Sequence, residues 1–571
     1  MKLSIRSGLV VLWLCAGALL FSGIYATRTS ASDGPTSAAQ QPPDSPVASA
    51  GPQNAAGDAR ADQDSAVMSP SQRQATDSAA VPPSGPPASG VGGAETPIDP
   101  DAAAAAAEAE DGMSVRRIAE IETPIHQRLV SVLGMITLLF IGWLLSVNRA
   151  MIPWRVVVWG LGLQIVFALL ILKTPAGEAF FTWINTVIVS LLGFTEAGAR
   201  FLFGNLVVNN VPVGAGEPGS GPFTPTVGMV ANTGAFFAFN VLPTIVFFSS
   251  LMTMLYYLGI MQAVVKGMAW VMMRTMKTSG AETLSAAGNI FLGQTEAPLL
   301  IKPYVAGMTM SELMAVMTGG FATVAGGVMA AFVGMLIFYF PDIAGHLMAA
   351  SVMSAPAALV FAKIIYPETE EPVTRGTLKV DVEKIDSNVI DAAARGAGEG
   401  LHLAMNVGAM LLAFIALIAL LNALIGWIGD VTTITDFFQN IGWLAATQPL
   451  SLDSILGWVL APLAWLMGVP WADAPEVGSL IGIKTAVNEF VAYLQLSAML
   501  SGDTALSPRS IVIATYALCG FANFSSIAIQ IGGIGGIAPS RRSDLARIGL
   551  RAMIAGSLAA FMTATIAGIL V

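Results

Sequence analysis

Charge, cysteine and histidine are scarce in this 571-residue sequence. Only 11% of residues are charged and 54% are hydrophobic, whereas soluble domains carry about 25% charged residues. That excludes an ordinary soluble domain and leaves a polytopic membrane protein. The two cysteines, Cys15 and Cys519, lie far apart in apolar segments, which excludes a disulfide framework and a cysteine metal site. The three histidines (His126, His346, His402) are scattered, so neither a histidine metal cluster nor a histidine-based catalytic centre is expected. Nor do paired intramembrane aspartates occur, and an enzyme is not expected. No basic patch points to nucleic acid, and no organic cofactor is expected. The net charge of −10 belongs to one segment, since twelve acidic and two basic residues fall between Asp33 and Asp111. The remainder is near neutral, and its charge says nothing about a substrate.

What is abundant is apolar sequence broken at particular places. Residues 1–26 start basic and continue apolar, the pattern of a signal peptide or signal anchor. Residues 27–112 are rich in Ala, Pro, Ser and Asp and lack the large apolar groups that would offset chain entropy, so a disordered tail is expected. Hydrophobic spans follow at about 129–147, 154–172, 236–260, 311–339, 345–365, 402–428, 509–536 and 545–570, eight candidate crossings. Residues 177–205, 260–276 and 452–469 are apolar or amphipathic and read as interfacial helices.

Two further segments, 280–305 and 478–502, each have two arms of about ten residues, too short to cross about 30 Å of hydrocarbon as helix. They read as re-entrant hairpins. The order of span, amphipathic piece, hairpin, broken span and plain span occurs twice, over 236–366 and 402–571. Each copy has an odd number of crossings, so the second is inverted, an arrangement found in secondary transporters. The expected domains are therefore helices in 125–235, a first repeat at 236–366, a cytoplasmic linker at 367–401 and a second repeat at 402–571. Arg541, Arg542, Arg547 and Arg551 crowd one loop and make it cytoplasmic, which puts the N-terminal tail outside.

Four polar constellations sit at four backbone breaks: Asn289 with Gln294, Thr295 and Glu296; Thr318 and Thr323 among glycines; Lys484, Thr485, Asn488 and Glu489; and Asn523, Ser525 and Ser526 after Cys519. An ionisable group at bilayer depth costs roughly 2.5–3.5 kcal/mol on insertion scales and is functional by default. Freed carbonyls suit a hard monovalent cation, and amides and hydroxyls suit a polar organic ligand. Plainer roles compete at several positions. Gly319, Gly320, Gly326 and Gly327 serve helix packing equally well. Ser525 and Ser526 can bond back to the preceding turn. Asn523 can be interhelical glue, Lys484 reads as a structural salt-bridge partner, and Cys519 as a small packing residue.

Four long motifs carry a resemblance. They are Gly293-Gln-Thr-Glu-Ala-Pro-Leu299, Met317-Thr-Gly-Gly-Phe-Ala-Thr-Val-Ala-Gly326, Val487-Asn-Glu-Phe-Val-Ala-Tyr493 and Ala517-Leu-Cys-Gly-Phe-Ala-Asn-Phe-Ser-Ser526. With the closing Arg541–Arg547 stretch, residues 125–571 resemble the concentrative nucleoside transporter family. The expected fold is an all-α membrane protein with eight transmembrane helices, two re-entrant hairpins and interfacial helices, and the resemblance implies that it assembles as a homotrimer, each protomer with its own pathway and two hairpins. It implies that Gln294, Thr295, Glu296 and Val328 face a nucleobase, and that Glu489, Asn523 and Ser526, with Phe521 nearby, face a ribose. It also implies a sodium site from Asn289, the Leu292 carbonyl, Thr323 and the Val324 carbonyl; Thr323 keeps the hydroxyl that a serine often supplies there. The expected activity is sodium-driven nucleoside import across a bacterial inner membrane. Proton coupling, a nucleobase substrate and a transporter-like sensor are the alternatives.

Overall fold

The computed structural model describes residues 123–571, apart from 208–209, 216–223, 233–236, 338, 377–385, 442–443, 445–446 and 502–505. The expected signal segment (1–26) and acidic tail (27–112) lie outside the described residues.

The chain enters through three apolar helices, α1 (Ile125–Leu144), α2 (Trp154–Lys173) and α3 (Pro175–Phe203). Thr174 caps α3 by accepting from the Gly177 amide, and Pro175 occupies the first turn, where its missing N–H costs nothing. Of residues 177–205, expected along the interface, all but the last two thus lie in one helix, and the span Pro175–Val207 is long and apolar enough to cross a bilayer. A small antiparallel hairpin follows, β1 (Asn210–Ala215) with β2 (Thr224–Asn232), paired Asn210 to Asn232 with a bulge between Pro212 and Gly214. The expected fold did not include it, although the Val and Thr run Thr224–Val230 carries a strand signal.

The segment expected as the first repeat holds α4 (Leu242–Tyr257), α5 (Ile260–Met276), the short α6 (Gly280–Gly288), α7 (Met310–Ala322), α8 (Gly326–Leu336) and α9 (Ile343–Ile365). The second holds α10 (Val389–Val431), α11 (Leu452–Leu466), α12 (Ala474–Ala486), α13 (Glu489–Ser501), α14 (Pro508–Leu518), α15 (Phe524–Ile537) and α16 (Arg542–Leu570). Eight helical spans among the described residues, with α7 and α8 counted together as one, are long and apolar enough to cross a membrane. They are not the same eight read from sequence: α3 joins the set, and the span at 509–536 is divided between α14 and α15. The break has a local cause, because Gly520 at φ +135° and the capping Asn523 end one helix and start the next.

Each broken element is stopped by its own chemistry. Ser279 with Glu282 forms a capping box at the start of α6, and Thr309 with Glu312 forms another at the start of α7. These boxes fuse into one buried ionic cluster. Ser279 Oγ donates to Glu312 at 2.6 Å, and Lys363 Nζ lies 2.7 Å from Glu282 and 3.1 Å from Glu368. The same ammonium donates to Ser311 Oγ at 2.9 Å. The cluster ties the first hairpin to α7 and to the end of α9.

Packing separates an inner from an outer layer. The α7–α8 window is 94% buried, and α9 and α16 are nearly so, whereas α10 is 6% buried despite its apolar sequence. α16 packs against α7, α9 and α14, and α10 packs along α4. α10 has 43 residues, about 64 Å of helix at 1.5 Å per residue, twice the hydrocarbon thickness of about 30 Å. Its first turns take in the end of the expected 367–401 linker. Asn388 caps it, and Arg395 pairs with Asp386 at 2.6 Å, holding that carboxyl below its usual range.

Candidate functional site

The two broken elements cross at their breaks. Phe521 N donates to the Thr323 carbonyl at 3.3 Å, so the interruption after α14 lies against the interruption after α7. A Cβ on Gly520 would fall 2.8 Å from the Phe321 carbonyl oxygen, so only glycine permits that approach. The first hairpin closes on the same place, with Gly326 N donating to the Phe291 carbonyl at 2.9 Å.

Around the crossing runs a directed chain of hydrogen bonds linking both repeats. Gln530 Nε2 donates to the Met317 carbonyl at 3.2 Å and to Gln294 Oε1 at 3.1 Å. Gln294 Nε2 donates to Ser526 Oγ at 3.1 Å. Ser526 N donates to Asn523 Oδ1, and Asn523 Nδ2 donates to Glu489 Oε2, both at 2.9 Å. Glu489, Gln294, Asn523, Ser526 and Gln530 are all buried. Buried polar groups are costly unless partnered, and here each obtains its partner largely from another broken element.

The remaining expected contacts are placed as follows. Thr295 packs its methyl against Gly533 of α15. Glu296 is exposed, with Oε2 accepting from Gly293 N at 3.1 Å. Arg395 and Glu399 of α10 are its charged neighbours. Phe521 and Val328 are buried, Val328 on the first turn of α8 just past the first break. Glu296 is therefore set apart from Glu489 in exposure, but Gln294, two residues earlier, joins the hairpin tip to Glu489 through the relay.

The four expected sodium ligands are buried at the junction of hairpin and break. Asn289 is fully buried, and among the described residues neither its Oδ1 nor its Nδ2 has a hydrogen-bond partner. Among the described residues no hydrogen bond reaches the Leu292 or Val324 carbonyl. Thr323 Oγ1 donates to Gly319 O at 2.9 Å and so keeps its lone pairs. An uncompensated buried amide oxygen beside two free carbonyls and a hydroxyl fits a hard cation.

Two plain readings change on inspection. Lys484 makes no ion pair within 4 Å among the described residues. Its Nζ donates to the Ala517 carbonyl at 2.8 Å and lies 5.7 Å from the Phe561 ring centroid. Asn523 serves both as the N-cap of α15 and as the partner of Glu489. Cys519 is buried packing, as expected. Gln530 was missed; its signal is a lone amide in the apolar run Ile527-Ala-Ile-Gln-Ile531.

Three family models match this chain: the Na+ dependent nucleoside transporter N-terminus over residues 133–206, nucleoside recognition (Gate) over 238–339, and the Na+ dependent nucleoside transporter C-terminus over 346–568. An uncharacterized transporter of Haemophilus influenzae is 46% identical, covering 78% of this chain and 98% of that relative. Sodium/nucleoside cotransporter 1 of Mus musculus is 43% identical over 78% of this chain; the chain spans 64% of that relative's length. The solved structure of CNTnw in an inward-facing substrate-bound state matches with a TM-score of 0.67 at 43% identity, covering 77% of this chain and 98% of that one.

Proposed function

The chain belongs to the sodium-dependent, concentrative nucleoside transporter family, and from that premise we propose that it is a symporter importing nucleosides by alternating access on a sodium gradient. The family is one of transporters, not enzymes. The observation that carries the proposal is the bond from the Gln294 amide of the first half to the Ser526 hydroxyl of the second, on the same helix start where Asn523 holds the Glu489 carboxylate. A nucleoside asks for that pairing: a flat base with a polar edge at one end, and a sugar with vicinal hydroxyls at the other.

On this reading Gln294, Thr295, Glu296 and Val328 face the base. Glu489 accepts from the ribose hydroxyls, Asn523 and Ser526 orient it, and Phe521 lies alongside. Sodium is the coupling ion, held by Asn289 Oδ1, Thr323 Oγ1 and the Leu292 and Val324 carbonyls. Because those carbonyls belong to the hairpin tip and the break, ion binding would fasten the two together and favour the substrate-ready geometry, a linkage that couples the two solutes. The relatives named as sodium cotransporters, and the unpartnered Asn289 amide, support sodium over protons.

The apolar, outward face of α10 supports lipid or a second copy of this chain as its neighbour, in keeping with a homotrimer in a bacterial inner membrane with the N-terminus outside. The test is uridine uptake into proteoliposomes holding the full chain. An inward sodium gradient is expected to drive accumulation, and choline replacement at fixed pH is expected to abolish it. Uptake that persists without sodium but collapses with the pH gradient would favour proton coupling instead.

A further inference from the structure

Gln530 lies on α15, outside every residue set assigned above to base, ribose or ion. Its environment is a built polar niche. The side chain is fully buried, its nitrogen makes two hydrogen bonds, and its own Oε1 has no hydrogen-bond partner among the described residues. The niche exists because position 320 is glycine: a Cβ there would fall 2.9 Å from Gln530 Nε2 and 2.9 Å from Gln294 Cβ. Together these features give Gln530 a single orientation.

Backbone groups set that orientation. The Met317 carbonyl can only accept, so the Gln530 atom facing it is the nitrogen. The second hydrogen of that nitrogen points at Gln294, so Gln294 turns its oxygen to Gln530 and its nitrogen to Ser526. At the far end the Ser526 amide can only donate, which fixes the Asn523 oxygen toward it and the Asn523 nitrogen toward Glu489. Gln294 is thus oriented from the Met317 carbonyl through Gln530, while the Ser526 amide orients Asn523 separately and the Ser526 hydroxyl, able to donate or accept, imposes no direction of its own. A Gln294 amide rotated by half a turn would present oxygen where it now presents nitrogen.

We propose that Gln530 is a positioning residue that fixes the amide orientation of Gln294 and so decides which hydrogen-bonding pattern on a base edge the carrier prefers. The proposal rests on the reading that Gln294 faces the base. Uridine and cytidine carry the same ribose, but uracil offers a carbonyl acceptor and an N–H donor where cytosine offers an amino donor and a ring-nitrogen acceptor. A fixed amide discriminates between these patterns, whereas a freely turning amide does not.

The experiment measures kcat/KM for sodium-driven uptake of uridine and cytidine by the full chain in proteoliposomes. In Gln530→Glu the carboxyl has at most one donor, which the Met317 carbonyl takes, so it can only accept from Gln294, whose amide turns its nitrogen toward the carboxyl and its oxygen toward the Ser526 hydroxyl. The uridine-to-cytidine ratio is expected to shift at least about tenfold while the sodium concentration for half-maximal uptake stays within about twofold. Gln530→Met keeps the volume without donors, covering the case that the acidic variant does not fold; it is expected to move the ratio at least about threefold toward unity. A merely structural role would lower both nucleosides by the same factor, and an unmoved ratio in the folded variants overturns the proposal. Normal wild-type uptake with an unmoved ratio defeats this proposal alone, whereas wild-type vesicles that accumulate neither nucleoside defeat the transport reading beneath it.

Discussion

Asn523 Nδ2 donates to Glu489 Oε2 at 2.9 Å, joining the break after α14 to the first residue of α13. The bond holds one oxygen of a buried carboxylate. Hydrogen bonds to a charged group are worth about 1.5–3 kcal/mol, so Glu489→Gln is expected to weaken ribonucleoside binding by roughly 10- to 150-fold. A 2′,3′-dideoxynucleoside has no vicinal hydroxyls to lose and is expected to bind the variant and the wild type alike. Calorimetric titration of both ligands at saturating sodium checks this; equal losses for the two would remove Glu489 from the sugar.

A second expectation concerns Asn289, whose side-chain oxygen and nitrogen are both buried without partners among the described residues. Asn289→Ala removes one proposed ion ligand and also relieves two uncompensated polar atoms. The variant is therefore expected to fold at least as stably as the wild type, while its sodium requirement rises at least about tenfold. Uptake against sodium concentration, with thermal unfolding measured alongside, separates the two effects. An unchanged sodium requirement would exclude Asn289 from the ion site.

Much of this arrangement was legible in the sequence because breaks in apolar helices leave coarse marks. Gly293 with Pro298, the Gly319–Gly327 run and the Cys519–Asn523 stretch all announce interruption, and they place the polar residues beside it. The pairing across repeats was less legible. Nothing along the chain says that Gln294 meets Ser526, 232 positions away, because that contact depends on how the two breaks cross in space. Gln530 was hidden for a related reason: a single amide in an apolar helix reads as packing until the Met317 carbonyl is seen opposite it. Lys484 was read as an ion-pair partner because charge is what sequence displays. A free carbonyl at a helix end, which is what its ammonium meets, has no signature in side-chain identity.

Gly320 sets two effects against each other. It lies inside α7, where alanine in place of glycine would ordinarily stabilise a helix by about 1 kcal/mol. The added Cβ would stand 2.9 Å from both Gln294 Cβ and Gln530 Nε2, and overpacking a tight site costs about 1–3 kcal/mol. The clash is expected to prevail. Gly320→Ala should lower the thermal midpoint and reduce uptake of every nucleoside, because the hairpin tip can no longer close on α15. A raised midpoint with normal uptake would mean that the contact relaxes freely.

Among the described residues Lys363 is the one cation in a buried cluster whose carboxylates are Glu282, Glu312 and Glu368. Replacing a buried ion pair with apolar groups is often tolerated, but removing one partner strands the other and costs about 3–5 kcal/mol. Lys363→Met strands Glu282 and Glu368 together, so it is expected to lose most folded protein in detergent at neutral pH. Lys363→Met combined with Glu282→Gln leaves one fewer buried charge and is expected to recover part of the loss. Fluorescence-detected size-exclusion profiles and thermal midpoints of the single and double variants measure that coupling. Additive losses, with no recovery in the double variant, would mean that Lys363 stabilises the first hairpin by packing its stem rather than by neutralising the carboxylates.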